Sequence, residues 1–238
     1  MRGNLNLYSS NSLGVIVCAR MSSTRLPGKF LRKVKDKLIA DYILERLQVF
    51  FPQANIVIAT SDHAEDGQIE DYCKQKNIKC FRGSLNNVAE RFLLAAEENN
   101  FQNVVRVCGD NIFLDATLIE QIWHIMLEKS VDFISNTKGR TFPLGMSVEI
   151  VKTAFYRQVY QQFQQSDDFE HITRYLYQHE DSINHYYMIN NELPQAKGLN
   201  FAIDRREHLE LAERVVEKME KAHYLYGWQE VYKLSTQI

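Results

Sequence analysis

Short strand-like runs alternate with amphipathic segments through the first half of the chain, and this alternation restricts the fold more than any other feature. Strands are expected at 15–18, 56–60, 79–82 and 104–108, each too short for a stable helix. Between them, residues 39–50 carry Ile39, Ile43, Leu44 and Leu47 on one helical face. Residues 66–76 do the same with Ile69, Tyr72 and Cys73, and residues 88–99 with Val88, Phe92, Leu93 and Ala96. A fourth helix is expected at 117–129. Strands that are apolar almost throughout, separated by helices, imply a mostly parallel sheet with helices on both faces, an α/β Rossmann-like architecture. Sheets of this kind bind ligands beyond the carboxyl ends of their strands.

After about residue 136 the pattern changes. Residues 141–145 are turn-rich, 147–151 read as a strand, 154–163 as a helix, and 169–187 are dense in Tyr and His. A strand is expected at 198–203, ending in Asp204, and a long amphipathic helix at 207–221. The expected organisation is a loose polar arm over 1–13 and a single domain over 14–238, with an inserted lobe at about 138–194.

Composition excludes several classes. A net charge of −2 gives no reason to expect a nucleic-acid partner. No apolar run approaches the ~20 residues that span a bilayer, so no membrane association is expected. The first 13 residues lack the apolar core of a signal peptide. Cys18, Cys73, Cys80 and Cys108 form neither a C-x-x-C pair nor a zinc pattern, and read as buried thiols of a reducing cytoplasm.

Beyond the first strand, residues 19–29 read Ala-Arg-Met-Ser-Ser-Thr-Arg-Leu-Pro-Gly-Lys. A nucleoside triphosphate presents several negative charges along a flexible chain. Arg20, Arg25 and Lys29 supply spaced cations, Ser22, Ser23 and Thr24 supply hydroxyls, and Pro27-Gly28 stops the loop from continuing as a helix. With one glycine, the loop fits neither the G-x-x-x-x-G-K-[ST] phosphate loop nor the G-x-G-x-x-G dinucleotide fingerprint. Taken alone, a solvated basic loop and a phosphate site are equally good readings.

This loop resembles the signature of the cytidylyltransferase superfamily, which activates acidic sugars such as Kdo and sialic acids as CMP-sugars. It is most similar to the spore coat polysaccharide biosynthesis branch, whose loop reads A-R-M-x-S-T-R-L-P-G-K. Further segments resemble that family in the same order: Ile58-Ala59-Thr60-Ser61; Phe81-Arg82-Gly83-Ser84, with Val88 and Arg91; and Val105 to Asp110, with Leu114-Asp115. They continue through Asp132 to Asn136, Phe142-Pro143, Gly145 and Glu149, then Glu170-His171-Ile172-Thr173 and Ala202-Ile203-Asp204. Asn111-Ile112 stands where the branch has Cys-Pro, and Arg205-Arg206-Glu207-His208 follows Asp204 where it has Thr-x-x-Asp.

The resemblance implies a fold of the nucleotide-diphospho-sugar transferase type, with an inserted dimerisation lobe. It also implies attack of a sugar hydroxyl on the α-phosphate of CTP, with release of pyrophosphate. Asp110 and Asp204 would be ligands of Mg²⁺, which takes one or two carboxylates plus substrate oxygens and water. Arg20 and Lys29 would hold the phosphates, and Arg25 would either assist or brace the loop. Ala19, Met21, Ser22, Ser23 and Arg82 complete the expected nucleotide site. Asn136, Arg140, Glu149, Glu170 and His171 are candidates for the sugar or sugar acid. A homodimer is expected, with Phe142, Tyr156, Tyr160 and Phe163 at its interface. Two alternatives stay open: a glycosyltransferase consuming a nucleotide sugar, although no Asp-x-Asp occurs at 109–112, and a non-catalytic nucleotide- or sugar-binding homologue.

Overall fold

The structure is a computed structural model that describes residues 12–238. The arm expected over 1–13 lies outside them except for its last two residues, and Leu13 opens the first strand. The strands are β1 (Leu13–Cys18), β4 (Ile56–Ser61), β5 (Lys79–Gly83), β6 (Asn103–Cys108), β7 (Phe133–Ser135), β8 (Glu149–Lys152) and β9 (His185–Tyr187). A two-residue hairpin, β2 (Lys33–Val34) and β3 (Lys37–Leu38), stands apart from them. The seven strands form one sheet in the order β5-β4-β1-β6-β8-β7-β9. β5, β4, β1 and β6 run parallel, β8 is antiparallel to both of its neighbours, and β9 is parallel to β7.

Pleating divides β1 between two cores. Leu13, Val15 and Val17 face one side, where they pack with Ile39, Ile43 and Leu47 of α1 (Ile39–Leu47) and Leu118 and Ile122 of α4 (Ala116–Lys129). α2 (Gly67–Lys76), α8 (Arg206–Glu217) and α9 (Trp228–Ser235) contribute to the same core. Ile16 faces the other side, with Phe92 and Ala96 of α3 (Val88–Glu98) and Tyr156 and Val159 of α5 (Thr153–Tyr160). The chain passes from β1 to β4 on one side and later to β6 on the other. The order therefore reverses at β1, and a crevice opens beyond the strand ends where such sheets bind ligands.

Residues 138–194 supply β8, β9, α5, α6 (Ser166–Glu170) and α7 (Arg174–Gln178), and β8 lies between β6 and β7 in the main sheet. The aromatics expected at a dimer interface are packed within the chain instead. Phe142 meets Trp228 at 5.2 Å between ring centroids and Tyr156 meets Phe92 at 5.4 Å. Phe163 is buried, and the half-buried Tyr160 accepts a 2.8 Å bond from Asn87 Nδ2. Tyr156, Tyr160 and Phe163 turn towards the core that holds Phe92 of α3, and Phe142 belongs to the core on the opposite face.

The strand expected at 198–203 does not form. Gly198 has φ 85°, and only an isolated bridge between Asn200 and Leu144 follows. This irregular segment is nevertheless fixed, because Ile203 N–H donates to Asp110 O at 3.0 Å. Asp204 is therefore carried to the crevice by a tethered loop.

Away from the crevice, His223 is buried edge-on against Tyr42 (4.5 Å), with Nε2 2.7 Å from Glu45 Oε2. Burial pushes its pKa down from 6.5 to about 4 against the Glu45 bond, and the Arg46 and Lys37 charges add to the depression. The folded protein thus binds fewer protons here than the unfolded chain. The resulting stability is full above pH 6.5 and is lost as pH falls towards 4. Between pH 7 and 4.5 the wild type should lose more melting temperature than His223→Gln; equal losses would contradict the neutral buried imidazole.

Candidate active site

The loop after β1 is a built structure. Ala19 N–H donates to Ala59 O at 3.1 Å, continuing the β1–β4 ladder. Ser23 and Gly28 N–H both converge on Met21 O at 2.8 Å. Met21 N–H in turn donates to Asp66 Oδ1 at 2.6 Å, and Ser61 N–H to Asp66 Oδ2 at 3.0 Å. Asp66 is 1% exposed; burial opposes its charge, but the bonds from Ser61 and Met21 outweigh it and hold the carboxyl below its usual range. Leu26 and Phe30 are buried anchors, and Gly28, at φ 67°, turns the chain into the single helical turn Lys29–Leu31. Arg25 is left projecting from the loop, 57% exposed at its side chain.

Gly109, just after β6, sits where a Cβ would come within 2.9 Å of Ala19 Cβ and 3.0 Å of the Phe30 ring. The missing side chain lets the turn after β6 pack directly against the loop. Asp110 thereby comes beside Lys29. Lys29 Nζ bonds Asp110 Oδ2 and lies 2.8 Å from Asp204 Oδ1, while Arg25 Nη2 is 3.0 Å from Asp204 Oδ2. Burial opposes the Lys29 charge, but Asp110 and then Asp204 outweigh it and raise its pKa. Burial raises Asp110, with Lys29 opposing. Burial also acts against the Asp204 charge, but Lys29 and Arg25 outweigh it and keep that carboxyl low. Two carboxylates and one ammonium thus converge at one point of the crevice.

Around this point lies a cavity of about 260 Å³. Ala19, Arg20, Ser23, Arg25, Lys29, Asp110 and Asp204 all line it, Thr24 joins them, and so do Glu170 and His171, which were expected beside the sugar. Met21 and Ser22 do not: Met21 acts through its backbone, and Ser22 is exposed to solvent. Arg82 is not part of the cavity either. Its guanidinium is spent on Glu70 Oε2 (2.8 Å), Ser61 O (3.1 Å) and His63 O (2.8 Å), which tie the end of β5 to α2.

A second cavity, of about 410 Å³, opens beside the first, and Arg106 and His171 line both. Arg140, Glu149, Thr173, Arg174 and Tyr177 line the second. Glu149, 4% exposed, binds Arg106 Nη1 and accepts from Thr173 Oγ1 and Tyr177 OH, each at 2.7 Å. Burial opposes its charge, and the Arg106 charge with these bonds holds the carboxyl below its ordinary range. Asn136 is not available to a substrate. It is fully buried, with Nδ2 donating to Met146 O (2.9 Å) and Oδ1 accepting from Val148 N–H (2.7 Å), so it braces the return into β8.

Sequence reasoning did not assign Arg91, Arg106, Arg174, Thr173 or Tyr177 to a site. The legible signal was Arg106, a lone cation within Val104-Val105-Arg106-Val107. A charge inside an apolar strand needs a buried partner or a ligand. Arg91, 2% exposed, carries its head to Ser84 O and to the wall of the first cavity.

A family model described as cytidylyltransferase matches residues 14–231. The spore coat polysaccharide biosynthesis protein SpsF of Bacillus subtilis is 29% identical over 213 residues, covering 87% of this chain and 88% of that protein. A cytidylyltransferase structure from Leptospira borgpetersenii superposes with a TM-score of 0.89 at 25% identity, covering 95% of this chain and 94% of that one. CMP-2-keto-3-deoxy-manno-octonic acid synthetase, solved with CTP, shares the fold (TM-score 0.64, 13% identity, 87% and 99% covered). The match spans the whole sheet and both cavities: the chain belongs to the cytidylyltransferase family.

Proposed function

We propose that this protein transfers CMP from CTP to a hydroxyl of an acidic sugar, releasing pyrophosphate, in the synthesis of a surface polysaccharide. One observation carries the reading: a cavity lined by Arg20, Arg25, Lys29, Asp110 and Asp204 joins a second lined by Arg140 and Arg174. The first suits a polyphosphate, and the second suits a substrate bearing a carboxylate. The likeness to a CMP-2-keto-3-deoxy-manno-octonic acid synthetase solved with CTP supports the pairing of nucleotide and sugar acid, and the likeness to SpsF supports a role in polysaccharide synthesis. A substrate such as CTP implies the cytoplasm.

The residues divide the work by position. Lys29 and Arg20 stand where charge accumulates on the departing pyrophosphate, and such preorganised cations lower the barrier without having to reorient. Arg106, fixed by Glu149, borders both cavities and would align the two reactants, which is the main requirement of phosphoryl chemistry. Asp110 and Asp204 would hold Mg²⁺. Two hard oxygen donors converge within reach of a single ammonium, and substrate oxygens and water would complete the shell. The ion would neutralise phosphate charge and help align the triphosphate.

Lys29→Ala should weaken CTP binding about 10- to 100-fold, the range of a lost charge-assisted contact. Titration calorimetry of CTP with Mg²⁺ reads this directly. Equal affinities in the variant and the wild type would sink the phosphate-cradle reading.

A further inference from the structure

His171 borders both cavities, and among the described residues only Arg106 does so as well. If the triphosphate fills one cavity and the sugar the other, the reacting oxygen and phosphorus meet where the two join. Of the two groups at that junction, Arg106 is paired with Glu149 and cannot give up its proton under ordinary conditions. An imidazole takes up and releases protons between about pH 5 and 8. His171 is also held in place. It caps α6, with its N–H donating to Asp167 O at 2.9 Å. The next residue, Ile172, is buried and its carbonyl accepts from Tyr156 OH at 2.6 Å. Thr173, one further on, is locked to Glu149. The ring is therefore exposed on a backbone that cannot drift.

We propose that His171 is a catalytic residue that accepts the proton of the attacking sugar hydroxyl. This rests on the transferase reading above. The hydroxyl oxygen forms a bond to the α-phosphorus as the bond from that phosphorus to the bridging oxygen breaks. Pyrophosphate leaves with the electron pair, and the hydroxyl proton passes to the unprotonated ring nitrogen of His171 and then to water.

The charged groups around the ring argue for the same assignment. On its own helix, Asp167 is paired with Arg174 of α7, and Asp168 is buried with its Oδ2 taken by the Gln165 N–H. Arg106 of β6 and Glu149 of β8 satisfy one another. Arg91 from α3 is cationic, and Asp110 and Asp204 are engaged by Lys29. Glu170 is the remaining carboxylate on the cavity wall, and a carboxylate is the weaker base. A base of each type leaves a different pH signature.

The test uses pyrophosphate release from CTP, Mg²⁺ and a panel of acidic sugars that includes Kdo and N-acetylneuraminic acid, with wild type and His171→Gln. General-base catalysis contributes about 10²- to 10⁴-fold. The variant should therefore lose at least about 100-fold in kcat, keep its KM for CTP within about threefold, and melt like the wild type. The wild-type kcat should fall on the acid side between pH 5 and 8, and the variant should lack that limb. A kcat within threefold of wild type, a change confined to the sugar's KM, or a wild-type limb lying below pH 5 would each overturn the assignment and leave the transferase reading standing. A wild type that releases no pyrophosphate with any sugar of the panel would overturn that reading and this one with it.

Discussion

Asp110→Asn should reduce turnover by about 10³-fold while the protein stays folded. The asparagine keeps the shape of the side chain and can still accept from Lys29 Nζ, which bonds Asp110 Oδ2 in the wild type. It cannot supply a charge to the proposed Mg²⁺ or balance the cations that line the cavity, and removing one preorganised charged group from such a site costs about 10²- to 10³-fold or more. Stability should not fall with activity. Burial already disfavours the Asp110 charge, so a neutral side chain relieves a cost. The expected result is a melting temperature equal to or above that of the wild type, with pyrophosphate release near background. Near-normal turnover would remove Asp110 from the reacting centre, and a lower melting temperature would show that its charge is structural.

Glu149→Ala carries the largest expected effect on stability. The carboxylate is 4% exposed and satisfies Arg106, Thr173 and Tyr177 together. Its removal leaves a half-buried guanidinium, whose side chain is 27% exposed, without its counter-charge. Breaking a buried pair from one side costs about 3–5 kcal/mol, and the partial exposure of Arg106 favours the lower end, about 3 kcal/mol. For a chain of this size that is a fall of about 6–12 °C in melting temperature. A double change that also replaces Arg106 with Met should recover part of the loss, because both charges then disappear from the wall between the cavities. A single variant that melts within 2 °C of wild type would show that water or another group carries the Arg106 charge.

The elements that could be read from sequence were those whose burial imposes a period. α1 to α4 begin within a residue of their expected starts because each buries one stripe against a sheet face. The four parallel strands were visible because both of their faces are covered. The same logic brought Lys29 and Asp110 together, since both follow strands that end at one edge. β9 was not visible: it has three half-buried residues, His185, Tyr186 and Tyr187, and no alternation. The expected strand at 198–203 failed for the opposite reason, since its apolar residues are held by single tethers rather than a ladder. Asn136 and Arg82 carried the right residue types for a site, but tertiary partners that sequence does not announce consume their hydrogen bonds. Arg174 was missed because an arginine at the start of a five-residue helix reads as surface, and only the fold places it on a cavity wall.

The proposed reaction requires the two joined cavities to hold a nucleoside triphosphate and an acidic sugar at the same time. Initial rates of pyrophosphate release test this most directly, with CTP, UTP, ATP or GTP each mixed with Mg²⁺ and either an acidic sugar or its neutral, reduced counterpart. Release should require both partners, be fastest with CTP, and drop sharply when the carboxylate of the sugar is removed. Release from CTP alone at the same rate, or equal rates with the acidic and neutral sugars, would contradict it.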